Sequence, residues 1–140
     1  MKLTSKGRYA VMAMADLASN TKSGPISLTE ISIRQNISVA YLEQIFIKLK
    51  DCQLVKSSRG ATGGYTLDKP ASEIKISNII FAVDEEVKVL SCNKNSKKGC
   101  NNKSNKCITH NLWDQLDRHI HGFFEKVKLQ DLVKQNSHQR

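Results

Sequence analysis

Apolar residues recur at helical spacing in three segments of the N-terminal third of the chain. The first segment predicts a helix over about residues 5–20. Ser27 then begins a Ser-Leu-Thr-Glu capping box, which predicts a short helix ending near Asn36. Ser38 begins a longer helix after a tight turn, and short helix, turn and longer helix outline a helix-turn-helix. The apolar stripe of the longer helix consists of Leu42, Ile45, Phe46 and Leu49.

A glycine-rich hairpin with a basic residue is predicted next. Residues 54–57 and 64–67 have the composition of two short strands, and Ser-Arg-Gly-Ala-Thr-Gly joins them. The loop contains no Gly-Lys-Ser/Thr and no helix follows it, so it is not a nucleotide-binding phosphate loop. A helix-turn-helix followed by such a hairpin predicts a winged helix, with Arg59 entering a minor groove.

The polar face of the longer helix is what a recognition helix presents to base edges in the major groove. A solvated amphipathic helix would have the same face, and the hairpin is what favours the recognition helix. The DNA-binding residues expected from the helix and the hairpin are Ser38, Ala40, Tyr41, Glu43, Gln44, Arg59 and Gly60.

Two further helices are predicted in the second half of the chain. The apolar spacing of residues 74–83 predicts a short linking helix. After residue 110, apolar residues alternate at intervals of three and four, which is the a/d pattern of a helical interface. This seam consists of Trp113, Leu116, Ile120, Phe123 and Val127. Because the preceding domain has little core to cover the seam, we expect a homodimer, with residues 129–133 forming a turn packed on the partner.

Composition narrows the class of protein. The 140 residues carry a formal net charge of +9, which suits a polyanionic partner, with nucleic acid first and a membrane surface second. Aromatic content of 6% argues against a single-strand binder that stacks bases. No apolar run is long enough for a membrane span, and Asp16 interrupts the N-terminal apolar run, so we expect a cytoplasmic protein. The sequence contains no evident pair of carboxylates and no nucleophile–base pair that would indicate an enzyme.

Three cysteines and a histidine lie close together in a polar, lysine-rich stretch, with the spacing C-x7-C-x6-C-x2-H. Three local cysteines leave one unpaired in any disulfide scheme. Zinc accepts three cysteines and one histidine, but its structural sites usually use tight C-x-x-C pairs. An iron–sulfur cluster tolerates wider spacing. From the residues alone the cluster, zinc and a solvated linker with incidental thiols all stay open.

The chain as a whole resembles the IscR family of iron–sulfur cluster regulators, which are winged helix-turn-helix transcription regulators. The likeness covers about residues 1–134. It is carried by the opening Met-Lys-Leu-Thr-Ser-Lys-Gly-Arg-Tyr-Ala, by Tyr41-Leu42-Glu43-Gln44, by Arg59-Gly60 with Gly63-Gly64-Tyr65, and by the ending Cys107-Ile108-Thr109-His110.

The resemblance implies a 2Fe–2S cluster, delivered by the iron–sulfur assembly machinery and held by Cys92, Cys100, Cys107 and His110. It also implies repression of cluster-assembly genes when the cluster is present, and a role for Glu43 in discriminating between DNA sites. Two departures stand out. Ala40 replaces a serine that commonly contacts DNA, and Gln53 replaces a glycine, at a cost of about 1 kcal/mol if its backbone is left-handed. Cys52, beside Gln53, is interpreted as an inert structural thiol.

These observations predict a mainly α fold with a small β-hairpin wing, a winged helix-turn-helix followed by a long dimerisation helix. Residues 1–70 are expected to form the DNA-binding domain, 71–90 a linking helix, 91–110 the cluster loop, and 111–134 the dimerisation helix and terminal turn. The expected function is a DNA-binding repressor that senses cluster status, as a homodimer on double-stranded DNA. The alternatives are a nitric oxide or redox sensor of the same fold, or a small iron–sulfur redox protein.

Overall fold

The structure is a computed structural model that describes residues 5–20, 22, 24–60, 63–83 and 108–138, with side chains as far as residue 134. In these residues the chain forms six α-helices and one antiparallel hairpin. The elements are α1 (Ser5–Ser19), α2 (Leu28–Gln35), α3 (Val39–Asp51), β1 (Val55–Ser58), β2 (Gly64–Leu67), α4 (Ile76–Ala82), α5 (His110–Lys126) and α6 (Leu129–His138). A mainly α fold with a small hairpin is therefore confirmed. No helix in these described stretches is long and apolar enough to cross a membrane.

The helix-turn-helix is defined by local capping at both of its helices. Ser27 Oγ accepts a hydrogen bond from the Glu30 amide at 3.2 Å and starts α2. Asn36 ends α2 in the left-handed conformation, with φ 56°. Ser38 Oγ then accepts from the Tyr41 amide at 3.1 Å and starts α3. Because each boundary has its own polar residue, the tight turn follows directly from the sequence.

A single hydrophobic core surrounds α1, which packs on α2, α3, α4 and α6. Ala10 and Ala13 are fully buried, and their small side chains let the neighbouring helices approach closely. The whole apolar stripe predicted for α3 is buried, as expected. The largest fully buried side chains are Phe46, Met14, Leu17, Ile31, Leu42, Ile45, Leu49, Ile74, Ile79, Leu129, Val55 and Val83.

One buried ion pair joins α1 to α2. Asp16 is almost fully buried and accepts from both Nε and Nη2 of Arg34, at 2.9 and 2.7 Å. Gln35 Nε2 donates to the same carboxylate at 2.8 Å. The hydrogen bond to Asp16 raises the pKa of the Arg34 guanidinium above its ordinary value. A bidentate pair with a third donor satisfies a carboxylate that would otherwise destabilise the apolar face of α1.

The hairpin is anchored to the segment before α2. Its strands pair in register from Val55 opposite Leu67 to Ser58 opposite Gly64. Outside the two strands, Ile26 forms an antiparallel bridge with Tyr65 through two backbone hydrogen bonds, at 3.0 and 2.8 Å. A Cβ at Gly64 would collide with the backbone of Ile26. Glycine at this position is therefore required by the close approach of two chain segments.

The junction between α5 and α6 differs from the sequence expectation. Helix α5 ends at Lys126, so Val127, predicted as the last seam residue, lies in extended backbone. The Val127 carbonyl accepts from the Ile76 amide, and the Leu129 amide donates to the Ile74 carbonyl. Leu129, expected on a partner, is fully buried in the core of its own chain. The reason is that these backbone hydrogen bonds hold residues 127–129 beside residues 74–76, which places Leu129 in the core.

Candidate nucleic-acid interface and cluster site

The first turns of α3 present a polar face to solvent. Ala40, Glu43 and Gln44 are exposed, and Ser38, also exposed, uses its hydroxyl as the N-cap. Tyr41 is half-buried, because its ring packs edge-to-face against another aromatic ring. These residues share one helix end on the molecular surface, which is the arrangement expected of a recognition helix.

Tyr9 is a positioning residue that sequence reasoning did not single out. The centroid of its ring lies 5.6 Å from that of Tyr41, with the two ring planes at 87°. An edge-to-face pair of this kind restricts both side chains. Tyr9 thereby fixes the direction of Tyr41 from α1. No spacing rule links the two positions, since they come together only when α1 packs on α3.

The hairpin places a guanidinium at its exposed tip. Arg59 and Gly60 are both exposed, and Gly60 has φ 121°, a conformation that favours glycine. The Gly60 carbonyl accepts from the Gly63 amide at 3.0 Å, which closes the turn. Lys50 Nζ, near the end of α3, donates to Ser57 Oγ of β1 at 3.0 Å. This exposed contact joins α3 to β1, and the packing of β1 on α3 through the core residue Val55 sets the relation of the two expected DNA-binding elements.

The C-terminal end of α3 carries two residues that the sequence singled out, Cys52 and Gln53. Gln53 is left-handed, with φ 61°, so the substitution of the usual glycine falls on a strained position. Cys52 is the C-cap residue of α3, and its thiol is exposed rather than buried. Free structural cysteines are usually buried, so this exposure does not support the interpretation of Cys52 as a structural thiol, and its inertness stays a prediction. The residue ends a helix, and a helix end at the surface leaves the side chain in solvent.

The predicted seam residues, four in α5 and Val127 just after it, have two different environments. Ile120 and Val127 pack against the core of the chain, together with Phe124. Trp113, Leu116 and Phe123 are exposed, and so is Leu112, outside the five predicted positions. A cleft of about 640 Å³ adjoins this face, lined mainly by apolar residues of α1, α4, α5 and α6. Its lining residues are Val11, Ile76, Phe123, Phe124, Val127, Asp131, Leu132 and Lys134.

Of the four proposed cluster ligands, only His110 belongs to the described residues. It is the first residue of α5 and is half-buried. Next to it, Thr109 accepts two hydrogen bonds from Trp113, from the indole Nε1 at 3.0 Å and from the backbone amide at 3.2 Å. The expected ligands Cys92, Cys100 and Cys107 lie outside the described residues. In the part of the chain that is described, no group of three potential ligands is close enough to hold a metal ion.

A capped helix-turn-helix, a basic hairpin fixed to it and a long exposed helix define a winged-helix DNA-binding regulator. Residues 3–135 match the Rrf2 family, described as an iron-dependent transcriptional regulator. The chain belongs to the Rrf2 family.

Named relatives agree with this assignment. The HTH-type transcriptional regulator IscR of Photorhabdus laumondii subsp. laumondii is 49% identical over 133 residues, which cover 95% of this chain and 79% of that protein. The regulator of the same name from Escherichia coli O1:K1 / APEC is also 49% identical, over 95% of this chain and 80% of its own length. Because its relatives are transcriptional regulators, the chain is a transcription regulator and not an enzyme.

Solved structures have the same fold over nearly the whole chain. T. potens IscR superposes with a TM-score of 0.78 at 34% identity, covering 97% of this chain and 88% of that one. CymR, the global cysteine regulator of B. subtilis, superposes with a TM-score of 0.79 at 29% identity, covering 96% and 97%. The resemblance inferred from the sequence is therefore confirmed, and a small redox protein is excluded.

Proposed function

We propose that this regulator is a cytoplasmic homodimeric repressor whose DNA binding responds to a 2Fe–2S cluster held by Cys92, Cys100, Cys107 and His110. The observation that carries the proposal is the position of His110. It is the first residue of the helix whose exposed apolar face is the candidate dimer contact. A ligand at this point would connect cluster occupancy directly to the helix that arranges the two DNA-binding units.

The donor set fits such a cluster by its chemistry. Three thiolates and one imidazole are soft or borderline donors of the kind that iron–sulfur clusters use. When bound, the cluster supplies a charged group whose presence depends on iron and sulfide supply. His110 would offer an imidazole nitrogen at the N-terminal end of α5, where the helix dipole favours a negatively charged neighbour such as the cluster. Thr109 and Trp113 stabilise the same first turn through their two hydrogen bonds.

Cluster binding is tested by anaerobic purification with a visible spectrum and with iron and sulfide analysis. Alanine at Cys92, Cys100 or Cys107 is expected to abolish the visible bands, because each change removes a thiolate anchor. Cys52→Ala is the matched control and should keep the spectrum, since Cys52 lies at the far end of α3. Zinc without sulfide, or loss of the cluster in Cys52→Ala alone, would contradict the ligand set.

The role of His110 has its own test. An imidazole gives iron less negative charge than a thiolate, so His110 is the weaker anchor of the four. His110→Cys is therefore expected to slow cluster loss to a chelator, whereas His110→Ala should lower occupancy without unfolding the winged helix. The rate of bleaching in excess chelator measures this. Equal rates for wild type and His110→Cys would show that another ligand limits retention.

DNA binding is proposed to use α3 in the major groove and Arg59 in the adjacent minor groove. Support comes from the exposed N-terminal face of α3 and from the contact between Lys50 and Ser57 that holds the hairpin beside the helix. Arg59→Ala should weaken binding to a duplex selected from a random library by about 1–3 kcal/mol. Arg118→Ala removes the same charge from an exposed position of α5 and is the control. Equal losses in both variants would indicate general electrostatics instead of a groove contact.

The homodimer is proposed to form through the exposed face of α5 and the adjoining cleft. Trp113, Leu116 and Phe123 are large apolar residues on one exposed helix, and apolar patches of this kind mark interaction sites. A two-fold axis between two such helices predicts DNA half-sites about one helical turn apart. Sedimentation should give twice the mass of the chain, and a footprint with a single half-site would contradict this arrangement.

A further inference from the structure

Ile47 is a large apolar side chain on the solvent face of α3. It is 59% exposed, although it is β-branched and lies in the middle of the helix. It follows Ala40, Glu43 and Gln44 by seven, four and three residues. In an α-helix these intervals bring residues onto one face. Ile47 therefore continues the face that carries the candidate base-reading residues, opposite the buried stripe of α3.

The distance along the helix suits a single groove. Seven residues of α-helix rise about 10.5 Å, which is less than the approximately 12 Å width of the B-DNA major groove. Lys50, one turn beyond Ile47, donates to Ser57 of the hairpin. Ile47 thus lies between the first turns of α3 and the contact that holds the hairpin.

The surroundings of Ile47 are polar. Glu43 and Asp51, one turn before and one turn after it, are both exposed acids. An isoleucine among such residues gains nothing in water and offers no hydrogen bond to a base. In the major groove, the apolar group that a base edge presents is the C5 methyl of thymine. The same position carries a methyl group in 5-methylcytosine.

We propose that Ile47 is a specificity-determining residue that packs on a pyrimidine C5 methyl in the major groove. This inference rests on the proposed use of α3 as the recognition helix. Glu43 and Gln44 then read hydrogen-bonding groups, while Ile47 excludes water from a methyl group beside them. The bound site should contain at least one position per half-site that depends on the methyl group and not on base pairing.

The experiment uses the full chain and a duplex selected by the wild-type protein from a random library. Each thymine of the selected site is replaced in turn by deoxyuridine, which removes the methyl group and keeps the base pair. At the position read by Ile47, wild type should lose about fourfold in affinity per methyl group, the value for burying one carbon. Ile47→Ser should bind more weakly than wild type and show no further loss with deoxyuridine there.

Ile33 provides a matched control. It is 77% exposed and lies on α2, and not on the exposed face of α3 that carries Ile47. Ile33→Ser makes the same chemical change and should keep the full response to deoxyuridine. Where the selected position is cytosine, a gain of affinity with 5-methylcytosine in wild type, absent in Ile47→Ser, would identify the methylated base as the ligand.

Two outcomes would overturn the proposal. One is a wild-type protein that binds thymine and uracil duplexes equally at every position. The other is an Ile47→Ser protein whose loss with deoxyuridine equals that of wild type. Either result would leave the winged-helix function intact if Arg59→Ala still weakens binding. Equal binding by Arg59→Ala and wild type would instead count against the docking of α3 and the hairpin.

Discussion

Helix α3 buries all four residues of its apolar stripe within the chain, whereas α5 exposes three of the four predicted seam residues that lie in it. The only buried residue of α5 in the described structure is Asp117, a carboxylate. Both helices are amphipathic in sequence. Among the described residues, α1, α2 and β1 surround the apolar face of α3, whereas α5 packs mainly on α4. The apolar face of the first helix is therefore covered within the described part of one chain, and the exposed face of the second is where the proposed dimer would form.

The largest change in stability is expected at a fully buried residue of α3. Phe46→Ala should lower the free energy of unfolding by about 3–5 kcal/mol, because Phe46 is fully buried and packs on Tyr65. Phe123→Ala, at a ring that is 58% exposed, is the matched control in α5. Urea denaturation at low protein concentration measures both. Similar losses in the two variants would mean that α5 is also part of the core of one chain.

The next effect concerns the exposed face of α5. Leu116→Asp should weaken the proposed dimer by about 100-fold, because association would bury an unpaired carboxylate. Leu116 tests the interface more specifically than Ile120, because Ile120 also packs on the core of its own chain. Sedimentation over a range of concentrations measures the shift. Arg118→Asp, on the other side of α5, should leave the dimer unchanged, and an undiminished dimer in Leu116→Asp would remove this face from the interface.

A smaller loss is expected where α1 positions the helix-turn-helix. Asp16→Asn should lower the free energy of unfolding by about 1–3 kcal/mol, since it weakens the two hydrogen bonds from Arg34. The lower part of this range applies if Arg34, whose side chain is 38% exposed, turns to solvent. Thermal unfolding of Asp16→Asn and of the double variant with Arg34→Gln would separate the pair from its parts. Additive losses would show that the two side chains are not coupled.

The smallest effect has the opposite sign. Gln53→Gly should raise the free energy of unfolding by about 1 kcal/mol, because glycine adopts the left-handed backbone at the end of α3 without strain. Asn36 is also left-handed, but asparagine tolerates that region, so Asn36→Gly should change stability less. Urea midpoints compare the two variants. A destabilised Gln53→Gly would mean that the glutamine side chain makes a contact that outweighs its backbone strain.

Local signals in the sequence were sufficient for the winged helix. Ser27 and Ser38 mark the starts of α2 and α3 by the same hydrogen bonds that the structure contains. The partners of Asp16 could not be predicted, because nothing in the local sequence brings Arg34 next to it. Likewise, Leu129 has the spacing of an interface residue, and only the backbone pairing with Ile74 reveals that it belongs to the core of its own chain.

The candidate site was only partly accessible to the same reasoning. The exposed turns of α3 and the hairpin tip follow from periodicity and turn chemistry. The contact between Tyr9 and Tyr41 is tertiary, so it had no signal in the sequence. The exposure of Cys52 was not foreseen, because free cysteines are usually buried in folded proteins. Cys52 is exposed because it lies at the end of a surface helix.

Helix α5 is attached to the core at its C-terminal end, so a small rotation there is amplified at its N-terminal end. Its C-terminal end is fixed by the pairing of residues 127–129 with residues 74–76, and its apolar core contacts come from Ile120 and Phe124 in its second half. His110, at the other end, lies about 24 Å away along the helix axis. A rotation of about 5° at the fixed end would displace the far end by about 2 Å over that length. A small change in the angle between α5 and α4 would therefore move His110 by about the size of an atom. In the same way, a displacement of His110 would change that angle.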